Sequence, residues 1–404
     1  MLAPHTAGWA ERLGLTVADY IPFANTNRDC QILDKHFPNA EVIRTSGEAL
    51  NKVSKHLATR KIWADAGVDG LEQWPKMSDN FKAYISFWSD PERIVDTDFQ
   101  KKPDRTKVSE FALSVLDHLC TAGDPEWVSV PQMPCVLGSG RNKLNRQLAD
   151  AASTWQQRHR FKGRLVLPFI VTHVSQIKLK QERNKKVDLL CDCLKESGAN
   201  ALWVVDRSLN DQDGASSVKD FRLKAVIELH EQIRERIPES LAVIAGPYWG
   251  LNLILWSKGI VQHPAIGLGN AFQYHLPGGH LQTPKSRIAI SPLKRLAVAS
   301  VSLKGWLEDT LNTISRSDTA FAEIASLLKA FPHLQVDGRN QVAATYAQWL
   351  TRLQHLPPSG RALALYQDFS SAYVFGRALK PMPQEEGSAR RPERIAEQLM
   401  LYCL

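Results

Sequence analysis

The chain has 404 residues, 44% of them hydrophobic and 23% charged, with a formal net charge of +8. That balance excludes extensive disorder, and no apolar run approaches the roughly 18 residues of a membrane span. Six cysteines in this length do not make a disulfide framework, and the first residues lack the basic-then-apolar pattern of a secretory leader, so a reducing, cytoplasmic setting is the expectation.

Taken in order, residues 19–23 and 41–44 read as short strands, with Ser46 as the N-cap of a helix reaching about residue 59. Residues 61–64 form a third strand, which runs into Asp65-Ala66-Gly67-Val68-Asp69-Gly70. Residues 75–103 look like an insertion rich in aromatic and charged side chains. Residues 106–119 predict an amphipathic helix with Val108, Phe111, Val115 and Leu119 on one face. An alternation follows, with strands at 127–130, 165–171, 201–205 and 241–245. The helices between and after them cover about 142–160, 177–197, 218–236 and 251–258. Residues 265–269 and 287–290 read as the last strands. Near-continuous apolar strands separated by helices predict a parallel sheet covered on both faces. Six to eight such units predict an α/β fold, a (β/α)8 TIM-like barrel over residues 1–296. The remaining 297–404 reads as a helical C-terminal appendage, with helices at about 296–313, 319–330, 341–353 and 391–401.

In a parallel barrel the C-terminal strand ends converge on one face and carry the site. The groups at those ends are Asp65, Asp69, Gln132, His173, Asp206 and the loop holding Gly246, Tyr248 and Trp249. Carboxylates and an amide around a glycine- and aromatic-lined cavity suit a glycosidic or nucleobase reaction. One carboxylate attacks or stabilises the anomeric carbon and another moves protons. Asp65 and Asp206 are the candidate catalytic residues. Asp69, Gln132, His173, Gly246, Tyr248 and Trp249 are the candidate base contacts. Plainer readings stand beside these: a capping acid at Asp206, and a tight turn with two core aromatics at Gly246 to Trp249. Trp63, Trp127, Trp155 and Trp203 could stack on a base, but as large aromatics they read as core.

Residues 240–307 contain no Asp or Glu but hold Lys258, Lys285, Arg287, Lys294 and Arg295, with His275 and His280 around a Pro-Gly-Gly turn. A long acid-free basic segment suits a groove that tracks a nucleic-acid backbone. Cys191 and Cys193 lie two apart in a helical stretch and face apart, so they make a poor metal pair. No strand–GxGxxG–helix, Walker or G-x-S-x-G motif is present, so neither a metal nor a cofactor is expected.

The order of these features over about residues 40–275 resembles the tRNA-guanine transglycosylase superfamily. It is most similar to the divergent branch that inserts 7-deazaguanine bases into DNA. The family's Asp-Ser-Gly-Gly-Phe strand end corresponds to Asp65-Ala66-Gly67, which keeps the acid and the first glycine. The family's base-reading strand end falls at Pro131-Gln132, its Gln-Gly-Gly turn on residues 168–173, its glycine-rich strand end on 204–206, and its Leu-Met-Gly-Val-Gly strand and helix on 243–259. The resemblance implies that Asp65 recognises the base or moves a proton. Two departures accompany it. The strand at 264–269 lacks the family's nucleophilic Asp, which leaves Asp206 as the candidate, and the family's zinc cluster is absent downstream. The expected function is exchange of guanine for a 7-deazaguanine base in nucleic acid, DNA in preference to tRNA, without a membrane. Two alternatives stay open: a barrel enzyme acting on a nucleoside or sugar, and a catalytically silent barrel that binds nucleic acid or partner proteins.

Overall fold

The computed structural model describes residues 20–404 except 54, 58, 135, 137–139, 173–175, 210–220 and 269–284. Eight parallel strands close on themselves in sequence order, β1 (Ile21–Phe23), β2 (Val42–Ser46), β3 (Lys61–Asp65), β4 (Trp127–Ser129), β5 (Arg164–Val171), β6 (Ala201–Asp206), β7 (Ala242–Ala245) and β8 (His263–Gly267). β8 returns to β1, with Ala265 opposite Ile21 and Gly267 opposite Phe23. The expected (β/α)8 barrel is therefore present.

The helices between the strands are α1 (Asn27–His36), α2 (Leu50–Val53), α3 (Arg105–Gly123), α4 (Arg141–Arg158), α5 (Lys180–Ser197), α6 (Phe221–Arg236) and α7 (Leu251–Ser257). Their ends follow local chemistry. α1 starts in a capping box, where the Asp29 amide donates to Thr26 Oγ1 (3.1 Å) and the Thr26 amide donates to Asp29 Oδ2 (3.0 Å). α5 stops at Gly198, in the left-handed region at φ 61°. Between β3 and α3, the expected insertion is a chain of short helical turns from Val68 to Lys101.

Two expected elements differ. The helix expected from Ser46 shrinks to the four residues of α2, because Ser46 extends β2 in register with Asp65 and its amide donates to Asn25 Oδ1 (2.9 Å). Residues 287–290 form a strand outside the barrel. This β9 (Arg287–Ile290) pairs antiparallel with β10 (Arg295–Val298), a segment expected to be helical. The helix begins only at α8 (Val301–Thr313), where Ser300 Oγ accepts from the Leu303 amide (3.1 Å). The boundary expected at residue 296 thus falls inside β10.

Beyond α8 come α9 (Thr319–Val336), α10 (Arg339–Gln354), α11 (Pro358–Arg377) and α12 (Arg394–Met400). α10 packs on α1, α11 packs on α7, and α12 packs on α11. Val342, Tyr346, Trp349, Leu365 and Phe369 accordingly share one hydrophobic core with the barrel strands. The β9–β10 hairpin, α8 and α9 enclose a smaller core of their own, around Ile288, Leu303, Ile324 and Phe331. Among the described residues no helix is long and apolar enough to cross a membrane.

Candidate active site

Register decides which strand residues point into the barrel. Side chains alternate along a strand, and in-register neighbours share a face. Phe23 pairs with Arg44, Arg44 with Trp63, and Trp63 with Trp127. Pro168 pairs with Trp203, Trp203 with Ile244, and Ile244 with His263. This face is the interior, because rings from β1, β3 and β6 can meet only across the barrel. Phe23 and Trp63 lie edge to face at 5.8 Å between centroids, Phe23 and Trp203 at 5.6 Å, and Trp63 and Trp203 at 5.5 Å.

Arg44 completes this layer. Its guanidinium carbon stands 4.7 Å from the Phe23 ring centroid and 5.3 Å from that of Trp203. One terminal nitrogen donates to Oδ2 of Asp65. The two side chains are only 4% and 3% exposed. The indole N–H groups below are tied down: Trp63 donates to Ser129 Oγ (2.9 Å) and Trp203 to the Gly246 carbonyl (2.7 Å). Toward the C-terminal strand ends, Ser46 stands beside Asp65 on the same face. Its hydroxyl is buried and has no hydrogen-bond partner among the described residues. Across the mouth, Ile170 and Val205 share the interior face with Trp203. The mouth therefore carries a carboxylate and a hydroxyl on one side, an apolar wall on the other, and an aromatic floor.

The other predicted residues are distributed differently. Asp206 is buried but pairs with Val171, on the strand face opposite Trp203. It points toward the helix layer, and its amide donates to the Tyr248 hydroxyl. The structure does not bring Asp65 and Asp206 together. Gln132 also lies outside the barrel interior, where its amide donates to the Asn145 carbonyl (2.9 Å). Asp69 is buried in the helical turn after β3. His173, His275 and His280 lie outside the described residues.

The Gly246 loop is the tight turn with core aromatics. Gly246 has φ 80°, and a Cβ there would meet the Tyr248 nitrogen at 2.5 Å and Asn252 Oδ1 at 2.6 Å. Tyr248 and Trp249, expected to stack on a base, are buried instead. The Tyr248 ring packs edge-on against His230 of α6. Burial first, and then the Asp206 carboxyl, hold its phenol well above the ordinary range. Trp249 packs on Tyr346 and Trp349 of α10 and donates to the Lys294 carbonyl (2.9 Å).

The basic stretch is not one groove. Arg295 cannot reach a phosphate: it is fully buried and ion-paired with Glu386 (2.9 Å), at 0% and 1% exposure. Lys258 lies exposed at the end of α7, on the barrel face opposite the mouth. Lys294 lies beside the Trp249 loop, with its ammonium 5.4 Å from the Trp349 ring centroid. Lys285 is exposed and Arg287 is half-buried.

Two buried histidines were not among the predicted site residues. His263, interior at the start of β8, is pushed down to about 4 by burial, with Arg164 contributing. His230 in α6 is likewise pushed down to about 4 by burial, with its Nδ1 2.8 Å from the Val226 carbonyl. Among the described residues no group of three His, Cys, Asp or Glu side chains could hold a metal ion. Arg44 was also missed, and the available signal was an arginine directly after the apolar pair Val42-Ile43 within a short strand.

No family model matches the sequence, and no curated protein matches it. The similar solved structures are barrel proteins of differing chemistry. The 2,3-dimethylmalate lyase, a PEP mutase/isocitrate lyase superfamily member, is 8% identical, with a TM-score of 0.33 over 65% of this chain and 81% of that one. The triosephosphate isomerase of Bartonella henselae is 12% identical, with a TM-score of 0.32 over 63% of this chain and 93% of that one. The carboxyl transferase domain of Rhizobium etli pyruvate carboxylase is 11% identical, with a TM-score of 0.37 over 95% of this chain and 60% of that one. Likeness at this level carries no argument about chemistry.

Proposed function

We propose that this barrel binds a guanine-like base at its mouth and serves base exchange in nucleic acid, with Asp65 recognising the base and moving its proton. The observation that carries the reading is the inward placement of Asp65 at the end of β3, beside the Ser46 hydroxyl, which has no partner among the described residues, and above an aromatic floor. A carboxylate accepts the adjacent ring and amino N–H donors of a guanine edge, and a hydroxyl serves as donor or acceptor to a ring nitrogen or carbonyl. The resemblance over residues 40–275 puts the family's acid at the same position. Lys294, beside the loop after β7, is one cation on the mouth side that could meet a phosphate of the nucleic acid.

Asp206 faces the helix layer, and Asp65 is the only carboxylate on the interior face of the described strands. Among the described strand residues that lone inward carboxylate does not supply the pair that a two-carboxylate glycosidase needs in one cavity, about 5–9.5 Å apart. It favours, as the second reading, a base-binding barrel that lacks the covalent step and works as a subunit. Nucleoside mass spectrometry of DNA and tRNA from cells carrying the protein separates them. A 7-deazaguanine nucleoside that disappears with Asp65→Asn supports base exchange. Unmodified DNA and tRNA, together with base binding by the purified chain, support the subunit.

A further inference from the structure

We propose that Arg44 is the positioning residue of the Asp65 site, acting as a planar clamp that sets the carboxylate's direction; this rests on the reading of the mouth as a base site. A carboxylate on a single strand end has two free torsions. To meet two N–H donors of a planar base it must present its oxygens in one plane, and a rotation of a few tens of degrees loses one of the two bonds. Arg44 supplies that constraint from below. Its guanidinium donates to Oδ2 of Asp65 and is itself held against Phe23 and Trp203, at 4.7 and 5.3 Å from their ring centroids.

Those rings are fixed in turn. They touch each other and Trp63 edge to face, and Trp203 is locked to the Gly246 carbonyl at 2.7 Å. The support thus runs from the β7 turn through Trp203 to Arg44 and on to the carboxylate. Arg44 lies one step below Asp65 in the register, level with Trp63, so it approaches the carboxylate from the floor. Lysine cannot replace it, because a point-charge ammonium does not seat against the Phe23 and Trp203 rings as a planar guanidinium does. The same geometry gives the buried arginine of β2 its place.

The test is titration calorimetry of the full chain with 7-deazaguanine as the probe, on wild type, Asp65→Asn, Arg44→Lys and Arg44→Met. Each variant is checked for folding by circular dichroism. The expected result is that both Arg44 variants bind at least about tenfold more weakly. Millimolar guanidinium, which fits the space left in a further variant, Arg44→Ala, restores binding there, and methylammonium does not. If Arg44→Met fails to fold, Arg44→Lys decides alone: wild-type affinity in that variant overturns the inference. Loss in Asp65→Asn with unchanged affinity in the folded Arg44 variants overturns the role of Arg44 and leaves that of Asp65 standing. Equal rescue by both cations also overturns it, reducing Arg44 to a charge. A wild-type chain that binds no base removes the reading of the mouth, and the inference falls with it.

Discussion

Replacing Asp65 by Asn leaves the shape of the barrel mouth almost unchanged but strips the Arg44 guanidinium of its counter-charge. Both side chains are nearly inaccessible, at 4% and 3% exposure, so water cannot compensate. Removing one partner of such a buried pair costs about 3–5 kcal/mol. Removing both charges is different. In Arg44→Met with Asp65→Leu, the apolar side chains meet Phe23, Trp63 and Trp203, and the expected change is within about 1 kcal/mol of wild type. The coupling between the two sites, the two single costs less that of the double, should therefore exceed about 5 kcal/mol. Urea unfolding at neutral pH, followed by tryptophan fluorescence, measures all four corners of the cycle, and Trp63 and Trp203 lie against the pair as reporters. An Asp65→Asn variant within about 1 kcal/mol of wild type, or additive single effects, would refute the claim that the interior holds a desolvated ion pair.

Three further outcomes are expected. Gly246→Ala should lower stability by about 2 kcal/mol or more in the same unfolding assay, because the position has φ 80° and its new Cβ would overlap the Tyr248 nitrogen; wild-type stability would show that the turn relaxes freely. His230 and His263 have pKa values depressed from 6.5 to about 4 in the fold. The unfolded chain therefore binds more protons in that window, so stability should fall from pH 6.5 to pH 4 by about 3 kcal/mol per histidine. His263→Leu should flatten the fall by its share, and an unchanged slope of unfolding free energy against pH counts against burial as the cause. Glu386→Gln strips the fully buried Arg295 of its counter-charge and leaves one oxygen where Glu386 uses two, one accepting from Arg295 and one from the Val298 amide (2.8 Å). It should cost about 3 kcal/mol and speed proteolysis between residues 380 and 393, and equal cleavage rates would count against the pair as the anchor of that segment.

Much of the barrel was legible because parallel strands covered on both faces are continuous apolar runs, and β5, β6 and β7 are such runs. Trp63, Trp127, Trp155 and Trp203 were read as core and are buried. The hairpin of β9 and β10 was misread because Leu296 to Val298 is equally apolar as a strand or a helix start, and only pairing with Arg287 to Ile290 decides.

At the candidate site, the sequence by itself placed Asp65 at a strand end, since an acid directly after an apolar run must leave the sheet or face its mouth. It also marked Gly246 as the turn after β7. Tertiary structure decided everything that depends on which face a residue takes. Asp206 follows an apolar strand as Asp65 does, yet the closed register turns one carboxylate inward and the other toward the helices. Arg295 belongs to a basic run in sequence, but the return of the chain at Glu386 buries it. Arg44 acquires its role only when β1, β3 and β6 close a ring around it. A strand's alternation has two phases of equal local energy, and only closure of the barrel, by burying one phase against rings from distant strands, chooses between them.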